Sequence, residues 1–238
     1  LDYYLGAWNI SAMIIHESRT QKEAGIGSDY FPSDIFPLRN GATFPEDTTP
    51  ESNIDNTQFA LAFNGVFTGW DFSFYTAKVL DSKWHFEDDK KVRTYAPIKM
   101  FGIANTIVVS SWLLKSEISY VKNLKYNSTT DEKNRFDILI GLEYNGIKNL
   151  NSSIEVANRH LFDYETKMQK KPDLSYENEQ QIATRVSYTF NHEKGMISFL
   201  NTLFTAKNKV NGGFARLWLN YDLSDNIEYN VGIIDYIG

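Results

Sequence analysis

Residues 135–159 carry the feature that most constrains the fold, because every second residue is apolar in two stretches joined by a short polar turn. The apolar positions are Phe136, Ile138, Ile140, Leu142, Tyr144, Leu150, Ile154 and Val156. The residues between them are mostly small, amide or charged. Successive side chains of a β-strand point to opposite faces of a sheet. The pattern therefore predicts an antiparallel hairpin with one apolar face and one small, charged face.

The same alternation recurs along the chain and predicts about eleven strands. They are 3–15, 57–68, 71–80, 98–109, 112–124, the two arms of 135–159, 180–190, 196–205, 213–223 and 227–237. A short helix is predicted only at 162–170, inside a connection.

The connections alternate between long and short. The long ones are 16–56, 81–97, 125–134 and 160–179. The short ones are 68–71, 109–112, 145–149, 191–195 and 224–226, and 206–212 is intermediate. Bacterial outer-membrane barrels have short periplasmic turns and long external loops, whereas a soluble sandwich gives no systematic reason for this alternation.

Strand length and the composition of the second face favour the same class of fold. A tilted strand crosses a membrane in ~9–11 residues, which suits these long segments better than the ~5–6 residues of soluble strands. Small and polar residues suit the crowded interior of a barrel. We therefore predict an all-β protein, an antiparallel up-and-down transmembrane β-barrel. The lack of ~18 consecutive apolar residues excludes only helical spans.

Charge and residue usage exclude several other functions. The net charge of −6 argues against a nucleic-acid partner. The absence of Cys and the scattering of four His residues argue against a metal site. No nucleophile, metalloprotease or phosphate-binding motif occurs, so we predict no catalytic residues, no cofactor and no enzyme activity.

Charged residues on the second face are the candidate site. The predicted lumen-lining residues that set selectivity are Lys115, Glu117, Asp137, Glu143, Glu155, Arg159, Arg185, Arg216 and Glu228. The alternative is that they pair across strands and fill the interior. Glu155 and Arg159 are too far apart along one strand for ideal contact, so partners on neighbouring strands are expected, such as one for Glu143 on the 150–159 strand.

Aromatic residues near strand ends are predicted to lie at the membrane interface, where amphipathic rings are favoured. They are Trp70, Trp112, Tyr120, Tyr188 and Tyr221. The alternative is that they fill a soluble core.

Several stretches resemble a known family. These are "NTQFALAFNGVFTGWDFSFYTAKVLD", "KMFGIANTIVVSSWLLKSEISYVKNLKY", "FDILIGLEYNGIKNLNSSIEV", "YNVGIIDYIG" and the Pro-rich segment 31–56. They are similar to uncharacterised proteobacterial outer-membrane proteins, known as a domain of unknown function and regarded as porin-like barrels. The resemblance implies a bacterial outer-membrane location and transport of hydrophobic or small molecules. It supplies no active-site residues.

Two features differ from complete barrels of that kind. Eleven is an odd strand number, whereas single-chain bacterial barrels are even, and the chain stops at "DYIG" without a terminal aromatic residue. We expect residues 1–238 to form one domain, the C-terminal portion of a larger barrel, with a long external loop at 16–56.

The leading functional hypothesis is a porin-like channel or transporter in contact with outer-membrane lipid. One alternative is a membrane-anchored structural barrel that binds a protein partner through its long external loops at 16–56 and 160–179. A second alternative is a soluble all-β binding module with an apolar core.

Overall fold

The computed structural model describes residues 1–17, 28–29, 46–47, 50–86, 92–207 and 209–238. Those residues form thirteen strands. They are β1 (Asp2–Leu5), β2 (Trp8–Ile15), β3 (Glu46–Asp47), β4 (Gln58–Phe67), β5 (Trp70–Phe86), β6 (Val92–Val109), β7 (Trp112–Leu124), β8 (Lys133–Ile147), β9 (Leu150–Leu161), β10 (Asn178–Phe190), β11 (Gly195–Ala206), β12 (Lys209–Ser224) and β13 (Ile227–Ile237).

Twelve strands follow one another across a single sheet in chain order, each antiparallel to the next. The two-residue strand β3 lies off this path and pairs in parallel with β6. The prediction of an all-β, antiparallel, up-and-down fold is confirmed. Within the described residues, the sheet is open between β1 and β13, which do not pair with each other.

The register of the strands gives the sheet two distinct faces. In the central hairpin, Ile138 of β8 lies opposite Ile118 of β7 and Asn158 of β9. Asp137 lies opposite Ser119 and Arg159. Directly paired residues share a face. We name the face that carries Ile138 the apolar face and the face that carries Asp137 the polar face.

Two predicted segments are wrong in their boundaries. Residues 3–15 form β1 and β2 rather than one strand, because Gly6 has a φ of +60° and reverses the chain between Leu5 and Trp8. The segment 81–97 is not the connection that the sequence predicts. Instead, β5 and β6 extend into it past an irregularity in register, and Trp84 lies opposite Tyr95.

The predicted helix at 162–170 is reduced to one 3₁₀ turn, Thr166–Gln169, which buries Met168. The turn ends at Lys170, whose backbone is extended. Pro172 disfavours a helical conformation for the residue before it, so the helix cannot continue. Among the described residues, no helix is long and apolar enough to cross a membrane.

Most of the short connections lie at one end of the sheet, and the long connections lie at the other end. The connections at 6–7, 68–69, 110–111, 148–149, 191–194 and 225–226 lie at one end, the short-turn end. The connections at 125–132 and 162–177 lie at the opposite end, the loop end. The link between β11 and β12 also lies there but is short, because β12 already begins at Lys209. Most of the predicted loop 16–56 lies outside the described residues.

The apolar face has no second layer packed on it among the described residues. Ile140, Phe101 and Phe74, all at mid-strand, have exposed fractions of 53%, 48% and 46%. The buried apolar residues are few and cluster towards the loop end. They are Ala77, Tyr95, Ala96, Val121, Leu124, Leu161, Met168 and Ala206. A large exposed apolar surface of this kind marks contact with a partner or a membrane.

Candidate functional site

The register places all nine predicted lumen residues on the polar face of the sheet. Seven of them come from the adjacent strands β7 to β10 and form two clusters. The other two, Arg216 and Glu228, lie farther along the sheet on β12 and β13.

The cluster nearer the loop end is organised around Asp137. Its carboxylate accepts hydrogen bonds from Arg135 Nε at 3.0 Å and from Arg159 Nε at 3.1 Å. Ser119 Oγ donates to it at 3.4 Å. Arg159 also reaches Glu179 Oε2 at 3.7 Å. The expectation that Arg159 pairs across strands is confirmed.

Sequence reasoning missed Arg135 and Glu179, which complete this cluster. The sequence predicts a hairpin that starts at Arg135 and a connection that includes Glu179. In the structure, β8 begins at Lys133 and β10 at Asn178, so both residues lie within strands. Arg135 lies two residues before Asp137, and Glu179 lies two residues before Gln181. This spacing is the signal that could have placed both residues on the polar face.

A cavity of about 430 Å³ lies beside this cluster on the polar face. Residues from seven consecutive strands, β5 to β11, line it. Tyr75, Met100 and Phe204 give it apolar walls, and Glu117 and Asp137 give it carboxylates. Because β5 and β11 are separated by five other strands yet line one cavity, the sheet curls around its polar face.

The cluster nearer the short-turn end is organised around Glu143. Lys115 Nζ lies 3.6 Å from Glu143 Oε2. Asn145 Nδ2 and Asn151 Nδ2 both donate to Glu143 Oε1 at 2.9 Å. Asn151 belongs to the neighbouring strand β9, so the predicted cross-strand partner of Glu143 is confirmed.

A second cavity, of about 420 Å³, adjoins Glu143. Glu155 and Arg185 also line it, and so does Lys115. This cavity lies nearer the short turns than the first one, and most of its lining residues are polar. These two cavities on the polar face therefore differ in character along the strand direction.

Gly141 lies on the polar face directly between Lys115 and Glu155 in the register. A Cβ atom added there would lie 3.1 Å from Glu155 Cγ and 3.6 Å from Lys115 Cβ. The absence of a side chain at Gly141 therefore leaves room for the Glu155 side chain to pack across it.

Arg216 and Glu228 do not join either cluster. The Arg216 guanidinium lies 5.9 Å from the ring centroid of Trp218. Glu228 Oε1 accepts a hydrogen bond from Asn220 Nδ2 at 3.3 Å.

The predicted interface aromatics all lie on the apolar face, but at two ends of the strands. Trp70, Trp112, Tyr188 and Tyr221 lie at the short-turn end. The Trp70 ring stacks on Phe67 at 4.5 Å between centroids, and the Tyr221 ring stacks on Phe190 at 6.1 Å. Tyr120 lies towards the loop end.

Two loops are tied together at the loop end by Asp173. Its carboxylate accepts hydrogen bonds from the backbone amides of Asn127 and Ser128, each at 2.8 Å, and from the Ser128 hydroxyl. Asn127 Oδ1 in turn accepts from the backbone amide of Phe86 at 2.8 Å. One carboxylate thus joins the 125–132 and 162–177 connections, and Asn127 links them to β5.

Glu165 makes a second tie between the same loops. It accepts hydrogen bonds from Lys133 Nζ at 2.8 Å and Thr129 Oγ1 at 2.8 Å, and it pairs with Lys167 at 2.9 Å. These donors, Lys133 first, lower the pKa of Glu165 from its ordinary 4.5 to about 2. Burial raises the pKa of the nearby Tyr126 to about 12.

Among the described residues, no three His, Asp or Glu side chains gather as a metal site would require. The described residues of the polar face form ion pairs beside cavities.

The fold and the polar face define a class: all-β proteins built from one curled antiparallel sheet whose charged face encloses cavities. The chain belongs to the family described as protein of unknown function DUF1302, whose model matches residues 7–218. The expected membership of an uncharacterised family is thereby confirmed. A search of curated proteins finds no match.

Proposed function

We propose that the protein forms a β-barrel that spans the bacterial outer membrane. In this proposal, the polar face of the sheet lines a passage for small or partly apolar solutes. One observation carries the proposal. Bulky apolar side chains are half exposed on one face, while the ionic clusters and both cavities lie on the other. A bilayer would cover the first face, and a passage would use the second.

The soluble alternative fits this arrangement less well. A soluble module would bury its apolar rows in a core, since that burial is what stabilises a soluble fold. Here the apolar rows of the described strands remain accessible.

Solute passage would follow the two cavities from the loop end to the short-turn end. The first cavity combines the apolar Met100 and Phe204 with the carboxylates of Glu117 and Asp137, which suits a solute with an apolar body and a polar group. The second, more polar cavity would then act on the charge of the solute through Glu143 and Arg185. Rings of lumen charge tune selectivity in this way.

Conductance of the purified full chain in planar bilayers tests the proposal. We expect discrete conductance steps, because the passage would admit ions. Arg185→Glu should shift the reversal potential towards cation selectivity. Lys148→Glu makes the same charge change in a short turn, outside the strands that line both cavities, and should shift it much less. Stable insertion without conductance or solute flux would overturn the passage, and equal shifts in the two variants would overturn its assigned path.

A second function is favoured by the loop cluster. Asp173 and Glu165 hold two long connections in a defined arrangement, as a surface that binds a protein partner requires. Under this proposal, Asp173→Ala leaves solute flux unchanged but abolishes retention of a partner on membranes that carry the protein. Loss of flux in that variant would instead assign the loops to the mouth of the passage.

A further inference from the structure

The apolar face carries an unusual set of charges. Arg93 of β6 carries one of them, beyond the irregularity in register between Leu80 and Trp84, with its guanidinium over the Trp84 ring. Across the other described positions that the register assigns to this face in β4 to β11, the Lys, Arg, Asp or Glu residues are Lys78, Lys99 and Lys122. All three have the same sign, and no carboxylate shares the face with them on those strands.

These lysines form one row across three adjacent strands. Lys78 of β5 lies directly opposite Lys99 of β6, and Lys99 lies directly opposite Lys122 of β7. Directly opposed residues have Cβ atoms about 5 Å apart, and like charges at that spacing destabilise a sheet. None of the three has a carboxylate within salt-bridge distance in the described part of the chain.

The depth of the row follows from strand geometry. Trp112 lies at the short-turn end, and Lys122 follows ten residues later on the same face of β7. Ten residues span about 33 Å of strand, and a tilt of about 40° reduces this to about 25 Å along the membrane normal. That is about the height of the apolar band of an outer-membrane barrel. If Trp112 marks one interface, the lysine row lies at the other.

The surroundings of the row are amphipathic. Phe101 lies two residues from Lys99 on the side of the apolar band, and Tyr120 lies two residues from Lys122. The Lys122 ammonium is 5.6 Å from the Tyr120 ring centroid. A row of three lysines, with the Phe101 and Tyr120 rings on the side of the apolar band, matches an anionic headgroup with acyl chains beneath it.

We propose that Lys78, Lys99 and Lys122 form a binding site for the phosphate-bearing headgroup of a lipid in the leaflet at the loop end. Ammonium groups bind phosphate oxygens through charge-assisted hydrogen bonds. A bound phosphate would also relieve the repulsion within the row. The proposal rests on the proposed function, since it requires the apolar face to contact lipid.

Lipid selectivity in vesicles tests the site. The full chain is reconstituted in phosphatidylcholine vesicles that contain trace spin-labelled phosphatidic acid or spin-labelled phosphatidylcholine, and association of each label with the protein is measured by electron paramagnetic resonance. We expect a clear preference for phosphatidic acid. Lys99→Gln should reduce it about fivefold, the worth of one lysine near an anionic headgroup. The triple variant of Lys78, Lys99 and Lys122 to Gln should abolish it.

The control is a charge-matched triple variant of Lys148, Lys170 and Lys194 to Gln, which removes three lysines outside this row. It should keep the preference. Equal loss in both triple variants would overturn the site, because it would show a general charge effect. Displacement of the lipid by millimolar inorganic phosphate would also overturn it in favour of a free-anion site.

Failure of the two proposals is distinguishable. If the chain inserts and conducts but shows no preference for phosphatidic acid, the lysine site alone is wrong. If the chain does not insert into vesicles, the proposed membrane function is wrong, and the lysine site with it.

Discussion

The orientation of the two faces can be tested with a pair of neighbouring arginines on β8. Ile140 lies on the apolar face with 53% of its side chain exposed, and Leu139 lies on the polar face directly opposite Glu117. We predict that Ile140→Arg destabilises the membrane-inserted protein strongly, whereas Leu139→Arg does not. The two substitutions occur in the same strand, one residue apart, so they differ mainly in the face that receives the charge.

The magnitude follows from the depth of Ile140. Tyr144, near the short-turn end, lies four residues away on the same face, and Phe136 lies four residues away in the other direction. Four residues correspond to about 13 Å of strand, or about 10 Å along the membrane normal at a tilt of about 40°. Ile140 is thus close to the middle of a band about 25 Å high. An arginine there costs about 2–4 kcal/mol in free energy of unfolding.

The assay is equilibrium unfolding by urea in phospholipid vesicles, with the wild-type chain and both variants measured under identical conditions. Leu139→Arg should change the free energy of unfolding by less than about 1 kcal/mol, because its guanidinium can reach water or the Glu117 carboxylate. A large cost for Leu139→Arg with none for Ile140→Arg would refute the assigned orientation. No cost for either variant would refute contact between the apolar face and hydrocarbon.

Three further predictions concern the passage and the loops. Gly141→Leu should reduce conductance by more than half, because the new side chain adds volume beside Glu155 and Lys115 on the polar face. Gly141→Ala is the milder control, since its Cβ would require only a small shift of Glu155. Unchanged conductance in a folded Leu variant would place the passage elsewhere. Glu165, whose pKa is lowered to about 2, should stabilise the loops above pH 4.5, and this stabilisation should be lost as the pH falls towards 2. Hydrogen exchange of the 125–132 loop should show this loss in the wild type. In Glu165→Gln, exchange of the loop should already be faster and should not change with pH between 4.5 and 2. The pKa of Tyr126 is raised to about 12, so its phenol stays neutral in the folded state while it ionises above pH 10 in the unfolded state. The wild type should therefore lose about 2 kcal/mol in free energy of unfolding between pH 10 and 12 that Tyr126→Phe does not lose. The same loss of unfolding free energy in both proteins over that range would contradict this.

The sequence predicted the faces of the strands well because alternation is a local property. Once Ile138 and Asp137 are assigned to opposite faces, the short turns fix which residues on the next strand join them. This is why all nine charged candidates share the polar face, and why cross-strand partners for Glu143 and Arg159 could be expected from spacing alone.

Boundaries and loop contacts could not be predicted in the same way. The turn at Gly6 divides a segment whose alternation continues almost unbroken, so only the positive φ reveals it. Trp84 and Tyr95 pair within a charged segment that has the composition of a loop. Asp173 reaches Asn127 across 46 positions of sequence, and no periodic pattern specifies a contact of that range.

The lysine row could be predicted from the sequence only in part. Counting equally from the Ser110–Ser111 turn brings Lys99 opposite Lys122, so the sequence contains that pairing. The pairing of Lys78 with Lys99 also requires the register of β5 on β6. The short turn at Gly69 does not set that register, because it joins β4 to β5. The row becomes visible only when both hairpins are assembled in one sheet.

The open edges of the sheet set the strictest physical condition on the membrane proposal. Every residue of β13 is exposed, and β1 lies at the other edge of the described sheet. In hydrocarbon, each unpaired backbone N–H or C=O costs several kcal/mol, so an edge of eleven residues could not face lipid. A membrane-inserted form therefore requires β1 and β13 to pair, either with each other or with further strands. The curvature that brings β5 and β11 to one cavity is in the direction that such closure needs. The side chains favour an arrangement with lipid outside and charge inside. The hydrogen-bonding requirement of the backbone permits that arrangement only in a closed barrel.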